Sequence, residues 1–191
     1  MMPLAFCLTE SVRQHWRRTN KETNMEAKTY TTIDRAALCW PAGPWDSEPD
    51  KVQWPDTATG IPCLAVRHPR SGHWCGYVGV ADGHPMYGKD YVDVDLSVHW
   101  GLTFSAPCSP GEDETRGICH VPGPGEPDHV WWLGFDCAHC DDYSPRDKKD
   151  EAERGYPFTI MAHQQYRTLA YVGQQCAELA AKVAQAVVCA A

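Results

Sequence analysis

The sequence predicts an α+β domain: an antiparallel sheet of about four strands, long irregular loops, and one long C-terminal helix on the sheet's apolar face. Three observations carry this reading. Residues 92–104 alternate apolar and polar side chains, the period of a half-buried strand. Leu169, Val172, Cys176, Leu179, Val183 and Val187 recur at three- and four-residue steps, the stripe of an amphipathic helix. Between the chain's start and these elements, "CLAVRHPRSGHWCGYVGV" reads as a β-hairpin.

Taken in order, residues 1–28 are polar and aperiodic, with Arg13, Arg17 and Arg18 among them. They read as an N-terminal tail outside a single domain at 29–191. Residues 29–39 suit a short strand or helix. "CWPAGPWDSEPDKVQWP" follows, and its prolines exclude regular structure. Trp40, Trp45 and Trp54 should pin that loop across the core, because large rings rarely stay wet. The hairpin strands are 63–68 and 73–80, with Pro69-Arg70-Ser71-Gly72 supplying the turn. "ADGHPMYGKDY" is a loop. In the strand at 92–104, Val92, Val94, Leu96, Val98, Trp100, Leu102 and Phe104 face one way. Asp93, Asp95, Ser97, His99, Gly101 and Thr103 face the other. Residues 105–128, rich in proline, glycine and acid, form a long excursion. A strand follows at 129–136, then a solvated charged connection at 141–154. The helix should begin near Ile160 or Met161 and end near Val188.

Composition narrows the function. The chain has 191 residues, 43% hydrophobic, with 17 basic against 25 acidic side chains and a net charge of -8. That balance argues against nucleic-acid binding through a basic footprint. No run approaches the roughly 18 apolar residues of a membrane helix. Ten cysteines stand without a secretory signal before them. A cytoplasmic location with mostly reduced thiols is the expectation.

With the helix over one face of the 92–104 strand, chemistry should collect on the opposite face and at strand ends. His84, His99, Asp136 and His139 are the catalytic candidates. Asp93, Asp95 and Thr103, with Trp45 and Trp54, are the binding candidates. Histidine among carboxylates binds a divalent metal or performs acid–base work; a merely solvated strand face would carry the same residue types. Cys137 and Cys140 have the x₂ spacing of a zinc knuckle, and Cys108 and Cys119, or His120, from the long loop would complete four ligands. Cys75 lies inside a strand pattern and reads as a core thiol. No phosphate-binding glycine loop, dinucleotide fingerprint or deaminase signature is present.

Four blocks, "GHWCGYVGV" with "GHPMYG", "VHWGLTF", "WWLGFDCAH" and "YRTLAYV", together resemble a group of small bacteriophage and mobile-element proteins without an assigned activity. The resemblance covers about residues 63 to 180. It implies an accessory role against host systems, immunity included. The leading expectation is a protein that binds a host partner or a small-molecule or nucleotide ligand. The alternative is a metal-dependent hydrolase, with zinc the first ion to consider, using the His/Asp cluster on an open sheet face.

Overall fold

A computed structural model describes residues 27–108, 113–154 and 160–189; the N-terminal tail read at 1–28 lies almost wholly outside them. The protein is an α+β fold built on one six-stranded antiparallel sheet, not four. Its strands are β1 (Lys28–Tyr30), β2 (Lys51–Pro55), β3 (Pro62–Arg67), β4 (Trp74–Ala81), β5 (Phe104–Pro107) and β6 (Val130–Asp136), in spatial order β1-β2-β3-β4-β6-β5. Two helices follow, α1 (Pro145–Arg154) and α2 (Leu169–Cys189).

The hairpin forms where its turn residues place it. His68 N–H donates to His73 O, Gly72 N–H donates to His68 O, and Gly72 takes a φ of 83° that side-chain-bearing residues avoid. β4 then pairs with β6 from Cys75 opposite Asp136 to Ala81 opposite Val130. Alternation divides the side chains. Cys63, Ala65, Trp74, Val78, Leu133 and Phe135 meet Val172, Cys176, Leu179 and Val183 of α2 in one core. Leu64, Tyr77, Val130 and Trp132 form a second, smaller core on the other face. The segment 113–121 lies over that face. Lys51 Nζ donates to the carbonyls of Glu114 and Cys119, and Gln53 exchanges two hydrogen bonds with the Val121 backbone. His120 sets its ring edge-on to Trp132 at 5.3 Å.

Four sequence expectations are corrected. The strand at 92–104 is not formed. Tyr91–Asp93 is a 3-10 turn, and only Phe104 of this stretch joins a ladder. The alternation survives only in part as packing: Val94, Leu96, Val98 and Leu102 reach the α2 core, while Val92 and Trp100 are exposed, Phe104 packs in the smaller core and His99 of the polar set is buried. Its backbone groups find helix side chains instead of a strand: His99 N–H donates to Gln175 Oε1, and Lys182 Nζ donates to Ser97 O. Trp100 and Gly101, with φ of 52° and 102°, then reverse the chain. The tryptophan-rich stretch does contain a strand, β2, since no proline lies between Lys51 and Trp54. Residues 145–154 are helical: Ser144 and Asp147 exchange side-chain-to-backbone bonds across the first turn, the reciprocal cap that opens α1. Helix α2 starts at Leu169, not near 160, because residues 164–167 are held extended against Asp141–Tyr143.

Candidate functional site

The end of β6, the reversal at 98–101 and the approach to α2 converge. Thr103 N–H donates to Gly134 O, which lays the 98–103 segment beside β6. Gln165 N–H donates to Asp141 O and Tyr143 N–H to Gln165 O, fixing Asp142 beside Arg167. At this junction His99 is buried, 6% exposed, with Nε2 2.8 Å from Asp142 Oδ2 and Nδ1 2.8 Å from the Tyr171 hydroxyl. Asp142 is 5% exposed and fully engaged. Oδ2 also accepts from the His139 N–H at 3.1 Å, and Oδ1 accepts from Arg167 Nε at 2.6 Å. Burial pushes the Asp142 carboxyl up, but hydrogen bonds from His99, Arg167 and the His139 backbone win, and it is held below the usual carboxylate range.

His139 is the outward member. Its ring stacks on Trp100 at 5.9 Å and meets His99 edge-on at 5.4 Å. Its Nδ1 is buried without a hydrogen-bond partner, 3.8 Å from Asp142 Oδ2 and 3.9 Å from Asp136 Oδ1. Asp136 is held in turn: Thr103 Oγ1 donates to one oxygen at 2.7 Å and Ala138 N–H to the other at 3.1 Å. One potential ligand atom from each of His99, His139 and Asp142 lies within 4.8 Å of the other two, a metal-competent set among the described residues. Beside the cluster, Ser71, His73, Cys137, Asp142, Ser144 and Asp147 line a cavity of about 260 Å³.

Three of the four catalytic candidates, His99, Asp136 and His139, therefore come together, with Thr103 from the binding candidates. They do so at a buried junction, not on an open sheet face. His84 does not join them; its Nε2 bonds Val183 O at 3.2 Å against α2, and burial pushes its pKa down. Asp93 and Asp95 are exposed, apart from the cluster's bonds. Trp45 is 2% exposed and donates Nε1–H to Pro41 O, while Trp54 packs on the α2 core, so Trp45 presents no binding surface. The four-sulfur zinc set is not assembled. Cys108 and Cys119 are bonded to each other, Cys137 is buried and Cys140 is exposed. Asp142, Arg167 and Tyr171 escaped the sequence reading, Asp142 because 141–154 read as a solvated connection. Arg167 and Tyr171 lie inside the "YRTLAYV" block, which is the signal the sequence carries for them. The chain matches no protein-family model, no curated protein and no solved structure. No helix among the described residues is long and apolar enough to cross a membrane.

Proposed function

We infer that the protein is a metal-dependent hydrolase whose ion is held by His99 Nε2, His139 Nδ1 and Asp142 Oδ2. The observation that supports this best is the unpartnered His139 Nδ1, buried between two carboxylates and facing a second histidine. A tetrahedral ion with bonds of about 2.0–2.1 Å sets its ligand atoms about 3.3 Å apart. The separations of 2.8 Å and 3.8 Å to Asp142 Oδ2 straddle that value. Two of the three ligands, His99 and Asp142, also have an outer hydrogen-bond partner, as metal-binding histidines and carboxylates usually do. With Nε2 committed to an ion, the His99 ring proton resides on Nδ1 and donates to the Tyr171 oxygen. Arg167 holds the other oxygen of Asp142.

With three protein ligands the ion would keep a position open for water, and zinc held this way would lower the pKa of that water toward neutrality. Asp136, half-exposed and oriented by Thr103, is placed to accept a proton there. The test is metal content of tag-free protein, followed by hydrolysis of bis(p-nitrophenyl) phosphate and p-nitrophenyl acetate. About one equivalent of zinc, manganese or iron is expected, lost in His139→Ala and in Asp142→Asn with the fold retained. No metal after add-back, or an equivalent retained in both variants, would sink the reading.

A second reading, capture of a host partner by a small phage-type accessory protein that counters host defence, draws on a different surface. Tyr91 and Val92 are 37% and 73% exposed, beside exposed Asp93 and Asp95. An apolar pair flanked by acid suits a partner with a basic rim.

A further inference from the structure

The turn between β3 and β4 carries a cluster that the metal reading does not use. Ser71 Oγ lies 2.8 Å from His68 Nδ1 and 2.9 Å from His73 Nδ1. The two imidazoles stack at 4.9 Å with planes 19° apart. A hydroxyl has one proton, so it donates to one ring and accepts from the other. The backbone settles which. Arg70 N–H and Ser71 N–H both point at His68 Nδ1, at 3.4 Å and 3.3 Å, so that atom is an acceptor. The proton order assigned by this network is His73 Nδ1–H to Ser71 Oγ, and Ser71 O–H to His68 Nδ1.

We propose that Ser71 is a nucleophile served by His68 as its proton acceptor, reactive toward acyl and phosphoryl donors entering the cavity beside it. Serine attack needs a base at about 2.6–3.2 Å, itself held in orientation. His68 meets both conditions: its Nδ1 is 2.8 Å from Ser71 Oγ, and its ring is held by stacking on His73. His73 acts as a positioning residue, its Nδ1–H donating to Oγ as negative charge builds there. Burial, with His68 beside it, pushes His73 down to about 4, so the ring stays neutral at physiological pH and the order above persists. His68 is exposed and Ser71 half-buried, and Ser71 and His73 line the 260 Å³ cavity, so a reactant has access.

The probe is a fluorophosphonate–biotin reagent applied to the full chain. Ser71 Oγ forms a bond to phosphorus, its proton passes to His68 Nδ1, the P–F bond breaks and fluoride leaves. Peptide mapping should find the adduct on Ser71, absent in Ser71→Ala and formed about 100-fold more slowly in His68→Gln. Labelling should persist with chelator and in His139→Ala, which separates this site from the metal cluster. Because His68 is exposed, His68→Gln should keep the wild-type circular dichroism. No adduct on Ser71, an unchanged rate in His68→Gln, or labelling that requires His139 would each overturn the proposal.

Discussion

Glu48 does more for this fold than its place in a proline-rich loop suggests. Its Oε2 accepts from Arg67 Nη2 at 2.8 Å, from Trp74 Nε1 at 3.2 Å and from the Tyr166 hydroxyl, while Oε1 accepts from Leu169 N–H. The last bond satisfies a free donor at the start of α2 and places a carboxylate at the helix's positive end. Arg67 is fully buried, so removing Glu48 leaves an under-compensated interior charge. Glu48→Ala should cost about 3–5 kcal/mol, read as a lower urea midpoint with an unchanged slope. His73 makes the second residue-scale prediction. Its pKa falls from 6.5 to about 4 on folding, through burial first and His68 second, with Asp136, Asp147 and Asp142 opposing. The unfolded chain therefore binds the proton more tightly. The stability tied to this ring is complete above about pH 6.5 and is lost as pH falls toward 4, by about 3 kcal/mol in all. Urea midpoints at pH 7 and pH 4.5 should converge in His73→Gln relative to wild type. An unchanged acid loss in the variant would remove His73 as its source.

At the scale of elements, α2 and β4 meet at one crowded point. A Cβ added at Gly76 would lie 2.4 Å from Phe135 Cζ and 2.9 Å from Cys176 Sγ. Gly76→Ala should therefore cost about 1–3 kcal/mol through overpacking, and Gly76→Ala with Cys176→Ala should recover part of it in a double-mutant cycle. The same elements show why some of the fold is legible in sequence. The hairpin and β6 carry their own turn chemistry and apolar runs, and α2 carries its own stripe from Leu169 onward. The stretch at 92–104 shows the opposite case. Its alternation reported real burial of Val94, Leu96, Val98 and Leu102, yet the burial is against a helix, and period two alone does not specify a ladder partner. Helix α1 was signalled by Ser144-Pro145 with Asp147, a cap that weighs little beside a run of mixed charges.

For the molecule as a whole, charge decides what kind of partner the second functional reading allows. A net charge of -8 repels anionic partners and favours a basic one. The exposed residues Tyr91, Val92, Asp93 and Asp95 would then bind more weakly as salt rises, since exposed charges are screened beyond about 10 Å at 0.1 M ionic strength. Asp93→Lys with Asp95→Lys should abolish partner capture measured by co-purification, whereas His139→Ala should leave it intact. The reverse pattern would favour the metal cluster as the seat of function.

The sequence by itself determined the α+β class, the β3–β4 hairpin, strand β6 and helix α2, and it singled out His99, Asp136 and His139, which the fold brings together. These follow from local periodicity, turn residues and the chemistry of side-chain types, all of which act over a few positions. Only the tertiary structure decided that Asp142, Arg167 and Tyr171 complete the cluster, that Cys108 pairs with Cys119, and that Trp45 is buried. Asp142 and His99 are 43 residues apart, and Arg167 lies 25 beyond Asp142. Contacts at such separations depend on how the sheet brings the end of β6, the reversal at Trp100 and the entry to α2 together, and no local pattern encodes that.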